Sequence, residues 1–358
     1  MANIFFRKYI AGVVIACCFI LIFDCRISSS VPFISEETEL AMGKGADKEI
    51  TRGGPGGYGI YPDKALQLYV DEIGQKLVSE LADKVFSRYF FKIVDSPEIN
   101  AFALPGGYVY VTRGIMAMLN SEAELAGVMG HEIGHVILHH GAKMMLRSIG
   151  ATILSLGGAI ASPQNAGNWL LVSTQMFQQI NMGYGREAEM ESDAQGIMNS
   201  YGAGYNPQGI VNFLKALRRQ EIFSGQSYHS FQASHPETKE RIITAETLSS
   251  SLLKRDGSVT YGRENYLSHL QGLNYGGKRD SRDKRDYKNE YIDIYQVKEG
   301  DTFKSIATNE LNDPKRDLEI AVLNGKKESD RLVPGELLKL VKEGKYDNKK
   351  LTLSPEKP

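Results

Sequence analysis

The sequence predicts an α+β chain, rich in helix with a few short strands, followed by a compact C-terminal unit. Three observations predict it. Apolar residues recur at helical spacing, as at Leu66, Leu68, Tyr69, Ile73, Leu77 and Leu81. Short runs of aromatic and branched residues cluster between 89 and 112. A dense run of mixed charge, Lys278 to Lys288, sets off the stretch Tyr291 to Val341.

In chain order, residues 34–45 form a short helix, and Arg52 to Gly59 is a glycine-rich loop. Ala65 to Leu81 is an amphipathic helix, and Tyr89 to Val94 a strand. Ala101–Leu104 and Tyr108–Thr112 are two strands of a hairpin turned by Pro105-Gly106-Gly107. A helix starts at Ser121, with Glu124 completing a capping box, and runs from Glu122 to Leu138. Residues 144–162 are apolar but broken by Gly150, Gly157, Gly158 and Arg147, which suits a lid or buried loop better than a membrane span. Further helices cover Arg186 to Tyr201, Gln208 to Gln220, and Pro236 to Leu248. These elements divide the 358 residues into 1–30, 31–276, a solvated linker 277–290, a unit 291–343 and a polar tail 344–358.

Composition excludes several classes. The net charge of −1 builds no field for nucleic acid. All three cysteines, Cys17, Cys18 and Cys25, fall in the first 25 residues, so the body has neither disulfides nor thiolate metal ligands. Arg7 and Lys8 precede an apolar run from Ile10 to Phe23, shorter than the roughly 20 residues of a bilayer span. This reads as an export signal cleaved after Ser30, with an uncleaved anchor or a lipidated Cys17 as the membrane-associated alternatives.

The chemistry centres on His131-Glu132-Ile133-Gly134-His135. Residues i and i+4 share a helix face, so two imidazoles can be offered to one zinc while Glu132 reaches a water beside it. Val128, Ile133, Val136 and Ile137 make the helix a buried one, where two histidines without a partner are costly. No histidine follows at the position that would extend the motif, which is occupied by Gly141. The alternative is a glutamate on a later helix, for which Glu187, Glu189 and Glu191 are candidates. Glu189 has Asp193 one turn on, a spacing that would let Asp193 support a ligand histidine. His139 and His140 are helix-end or supporting groups more often than ligands, and His229 reads as a surface histidine.

Asn100-Ala-Phe-Ala-Leu-Pro-Gly-Gly-Tyr-Val-Tyr-Val-Thr-Arg-Gly114, Glu124-Leu-Ala-Gly-Val128, the helix motif, Tyr184 to Asp193, and Ser234-His235-Pro236 with Arg241 resemble metallopeptidase family forty-eight. The likeness is to its CAAX prenyl protease type, soluble bacterial branch, and spans Glu37 to Gly276. It implies a helix-rich zincin (gluzincin) fold with a small mixed sheet, one zinc per chain, Glu189 as the third ligand, and peptide-bond hydrolysis. Tyr295-x-Val297, Gly300-Asp301-Thr302, Ile306-Ala307, Asn324 and Pro334-Gly335 resemble a LysM-like βααβ module, which implies peptidoglycan as a partner and, with the signal, a bacterial periplasmic location.

The expected reaction is zinc proteolysis. His131, His135 and Glu189 hold the metal, and Glu132 is general base and then acid. His235 is a candidate oxyanion donor, a reversible fourth ligand, or a helix-capping residue. Ala101, Phe102, Ala103 and Leu104 would align an extended substrate by backbone pairing, favouring unfolded or misassembled envelope polypeptides. The alternatives are a chaperone-like or latent scaffold with a covered site, and a wall-binding protein with a structural zinc.

Overall fold

The computed structural model describes residues 34–53, 57–145, 183–224, 230–236, 239–255, 257–277 and 289–347. The signal or anchor at 1–30, the lid reading from 146 onward, His229 and the charged run 278–288 lie outside them. From Ser35 onward the chain forms one unit.

Helix α1 (Glu36–Thr51) begins at Ser35, whose hydroxyl accepts from the amide of Thr38, and is longer than the short helix expected. Helix α2 (Lys64–Ser79) is capped by Asp63, which accepts from the Leu66 amide. Its apolar stripe packs on β1 (Phe90–Val94). Strands β2 (Ala101–Leu104) and β3 (Tyr108–Thr112) pair antiparallel, while β1 pairs parallel with β3. The order β1-β3-β2 makes a small mixed sheet with β2 at its edge. Gly106 and Gly107 turn the hairpin with φ of 83° and 86°, which a side chain would resist. Helix α1 lies against this turn so closely that a Cβ on Gly43 would sit 2.0 Å from the Pro105 carbonyl oxygen.

Thr112 ends β3 and caps helix α3 (Arg113–Met118) by accepting from the Ile115 amide, an element absent from the sequence reading. Helix α4 (Glu122–Ile137) follows and carries the histidine motif. Ser121 accepts from the Glu124 amide at 3.2 Å. The expected reciprocal half of the box differs: the Glu124 carboxylate accepts from Asn120, not from Ser121. Every residue from Ala123 to Val136 is buried, as befits a helix surrounded on all sides. Helix α5 (Arg186–Gly202) crosses it through small residues: a Cβ on Gly196 would lie 2.6 Å from the His131 amide nitrogen. Helix α6 (Gly209–Ser224) approaches at Gly127 in the same way.

A short helix α7 (Ser230–Ser234) delivers His235, and helix α8 (Lys239–Leu253) follows. Pro236 therefore stands between two helices, not in the first described turn of α8. After α9 (Arg263–Ser268) comes β4 (Asn274–Tyr275), which pairs with β5 (Glu290–Gln296), itself paired with β6 (Leu337–Glu343). Between β5 and β6 lie α10 (Phe303–Leu311), a short turn of tighter helix, and α11 (Asp317–Leu323), a βααβ order.

This C-terminal part has its own small core around Phe303, Ile306, Ile320 and Leu338. It also shares the main one through Ile292 and Val341. The Lys339 ammonium is fully buried and donates to the carbonyls of Ala117 (2.6 Å), Met118 (3.1 Å) and Leu119 (2.7 Å) at the end of α3. Arg263 bridges Asn120 and the Leu337 carbonyl. The unit is thus fastened to the loop from which α4 starts. Among the described residues no helix is long and apolar enough to cross a membrane.

Candidate metal centre

Helix α4 projects His131 and His135 one turn apart, α5 projects Glu189 and Asp193 one turn apart, and the residue after α7 supplies His235. The close approach of α4 and α5 at Gly130, Gly134 and Gly196 brings the two faces together. Nε2 of His131 lies 3.1 Å from Nε2 of His135 and 3.2 Å from Nδ1 of His235. The Glu189 carboxylate is 3.1 Å from Nδ1 of His235 and 3.4 Å from Nε2 of each α4 histidine. One ligand atom from each of His131, His135, Glu189 and His235 falls within 4.8 Å of the rest.

These separations suit a metal. Four ligands at ~2.0–2.1 Å around tetrahedral zinc stand about 3.3 Å apart. Three imidazole nitrogens and a carboxylate buried in one spot, two of them Nε2 atoms facing each other, are otherwise an expensive arrangement. The donor set of nitrogen and carboxylate oxygen is one that zinc accepts.

The surrounding groups fix the rings. His131 Nδ1 is 2.8 Å from Asp193 Oδ1. Arg241, also buried, donates to Asp193 through Nε at 2.7 Å and Nη2 at 2.8 Å, and its Nη1 reaches Glu189 at 2.7 Å. His135 Nδ1 is 3.0 Å from Nδ1 of His140. The Tyr184 ring stacks on His135 with centroids 4.0 Å apart and covers it.

Charge responds to this packing. Burial pulls the pKa of His131 down, but hydrogen bonds with Asp193 and Glu189 prevail and hold it at about 10 in the metal-free protein. Burial drives His135 well below the usual imidazole range. Burial raises Glu189, yet the His235 charge and the histidine hydrogen bonds outweigh it, so the carboxylate stays well below its ordinary value. Asp193 is likewise lowered, burial being overcome by Arg241 and His131. Glu132 is the exception: burial raises it, and neither oxygen has a hydrogen-bond partner among the described residues. Nε2 of His235 stands 3.4 Å from Glu132 Oε1.

Of the three glutamates on α5, Glu189 faces the cluster, Glu187 is not part of it, and Glu191 instead contacts His140 at 3.1 Å. Ala101 to Leu104 lie on the sheet edge with all four side chains buried. A crevice of about 10 Å³ bounded by Leu104, Pro105, His135 and Tyr184 lies beside the cluster. Sequence reasoning assigned no role to Arg241 or Tyr184. Both fall in the stretches that carry the family resemblance, which is the signal that was available for them.

Residues 64–249 match the sequence profile described as Peptidase family M48. The beta-barrel assembly-enhancing protease of Escherichia coli K12 is 30% identical over 243 residues, 66% of this chain and 48% of that protein. A putative beta-barrel assembly-enhancing protease of Vibrio cholerae is 35% identical over 191 residues, 51% of this chain and 39% of that protein. The mitochondrial metalloendopeptidase OMA1 of Schizosaccharomyces pombe is 26% identical over 239 residues, 64% of this chain and 66% of that protein. The chain spans half or less of the length of these bacterial relatives.

Proposed function

The chain belongs to peptidase family M48, and from that premise we propose that it is a zinc metalloendopeptidase acting on unfolded or misassembled envelope polypeptides. The observation that carries the reading is the convergence of His131, His135 and Glu189 beside a buried carboxylate, Glu132, whose oxygens have no hydrogen-bond partner among the described residues. A purely structural zinc site needs no such base.

Zinc, when bound, supplies a Lewis acid that polarises the scissile carbonyl and acidifies water. Glu132 takes the proton of the attacking water and delivers it to the leaving amine. Its raised pKa makes it the stronger base for the first step. Asp193 and Arg241 hold the His131 ring in orientation. As the outer strand of the described sheet, β2 would offer backbone pairing to an extended chain, which reads little sequence and selects against folded substrates. The names of the bacterial relatives favour envelope proteins as the substrate class. An exported, periplasmic location follows from the N-terminal pattern, and the LysM-like motifs with their βααβ order favour peptidoglycan as a partner.

The test compares wild type with Glu132→Gln, measuring bound zinc and casein cleavage in both. Retained zinc with cleavage lost is expected. Equal cleavage sinks the enzyme reading. Sedimentation with purified peptidoglycan tests the wall partner.

One observation favours a second reading, a latent state of the same site. His131, Glu132, His135, Glu189 and His235 are at most 2% exposed, Tyr184 covers His135, and His235 Nδ1 stands with the ligands. His235 then occupies the position that substrate needs and must leave before turnover. His235→Ala at saturating zinc is expected to cleave casein faster than wild type. Slower cleavage would instead assign His235 to the oxyanion.

A further inference from the structure

We infer that His140 is the positioning residue for the metal ligand His135, the middle member of a Glu191–His140–His135 hydrogen-bond chain that decides which nitrogen His135 turns to the metal. This rests on the zinc reading of the site.

The two motif histidines are supported differently. His131 meets a carboxylate, Asp193, at its Nδ1. His135 meets a second imidazole, with 3.0 Å between the two Nδ1 atoms. Such a contact needs one donor and one acceptor, and both ends of the chain fix which is which. At one end, His135 directs Nε2 into the cluster, 3.1 Å from His131 Nε2. A metal requires that nitrogen bare, so the single proton of a neutral imidazole sits on Nδ1 and His135 donates. At the other end, Nε2 of His140 is 3.1 Å from Oε2 of Glu191, and an ionised carboxylate only accepts. His140 therefore carries its proton on Nε2 and accepts at Nδ1. The Ser192 hydroxyl packs against the same nitrogen at 3.3 Å.

The fold builds this chain deliberately. Helix α4 ends at Ile137 with Leu138 as its C-cap, and His139 takes a left-handed φ of 54°. That turn swings His140 back beneath His135, five positions on, where a continuing helix would carry it off the face. Gly134 admits Ser192 to the same spot, since a Cβ there would lie 2.9 Å from the Ser192 Cα. His140 is 7% exposed, while the Glu191 side chain is 54% exposed. The chain thus runs from the buried metal ligand to the surface. An imidazole is a weaker acceptor than a carboxylate, so His135 is held by orientation more than by charge.

The experiment measures zinc affinity, by competition with a chromophoric chelator, for wild type, His135→Ala, His140→Leu and His140→Asn. Circular dichroism and thermal midpoints of the metal-free proteins serve as the fold control. His140→Leu removes the acceptor and is expected to weaken zinc binding about 10–100-fold in a folded protein. His140→Asn places an amide oxygen where Nδ1 stood and is expected to recover most of that loss. Undiminished affinity in His140→Leu overturns the inference. Should that variant not fold, ¹⁵N NMR of histidine-labelled, zinc-loaded wild type decides: a proton on Nε2 of His140 supports the chain, and one on Nδ1 overturns it. Failure of the site reading looks different, because zinc would then bind equally well to His135→Ala.

Discussion

Arg241 grips Asp193 with a two-pronged ion pair, Nε to Oδ2 at 2.7 Å and Nη2 to Oδ1 at 2.8 Å, wholly inside the protein. The same Oδ1 is 2.8 Å from Nδ1 of His131. A helix beyond the motif, α8, therefore sets the orientation of a residue on α4. Arg241→Met leaves the carboxylates of Asp193 and Glu189 short of their cation. We expect a loss of about 3–5 kcal/mol in stability, read by urea unfolding of the metal-free protein, and zinc affinity about 10–100-fold weaker. Arg241→Lys, which cannot make the fork, should restore charge without restoring affinity.

Acidity reports on the same pair. The folded pKa of Asp193 lies below its unfolded value of about 3.9. Its contribution is then present above that pH and is lost as pH falls through the folded value. Acid unfolding of wild type should show this loss below about pH 4, and Asp193→Asn should flatten it.

Zinc affinity should rise with pH. In the metal-free protein His131 is held at about 10, so it carries a proton that the metal must displace. Affinity should climb by about tenfold per pH unit between roughly pH 7 and 9. The stability that charged His131 lends the metal-free protein runs the other way: it is complete below about pH 6.5 and lost as pH climbs toward the folded value. Calorimetry in buffers of different ionisation enthalpy counts the released proton. A pH-independent affinity over that range would contradict the assignment.

Gly196→Ala should separate the two ligand-bearing helices. The added Cβ would lie 2.6 Å from the His131 amide nitrogen, and backbone cannot yield as a flexible side chain can. Overpacking of this kind costs about 1–3 kcal/mol. Zinc content after dialysis should fall with it, whereas Gly277→Ala, with no atom of the described residues near its Cβ position but a φ of 71°, should cost stability alone.

Lys339→Met tests how far the M48 domain depends on the C-terminal part of the chain. The substitution removes the donor to three successive carbonyls and leaves buried Glu124 with fewer cations nearby. A loss of about 3 kcal/mol is expected. Chains ending at residue 289 should lose cooperative unfolding outright, because β5, Ile292 and Val341 leave with the deleted segment.

Much of this molecule was legible in its sequence. The helix around His131 and His135 is read from spacing alone, since i and i+4 share a face whatever surrounds them. The hairpin of β2 and β3 is read from alternating strand formers around two glycines, because turn chemistry is local. Even the pairing of Glu189 with Asp193 is one helical turn in a single segment. Interactions that skip along the chain were not legible. Arg241 meets Asp193 across 48 positions and Lys339 meets Ala117 across 222, and no periodicity links them. His140 was ambiguous because its role depends on the left-handed turn at His139, which is set by how the end of α4 packs. Sequence by itself determined which groups are candidates for the chemistry and on which elements they ride. Only the tertiary structure decided which of them face one another, because that depends on how closely glycine-lined helices approach and on which buried charges must find a partner.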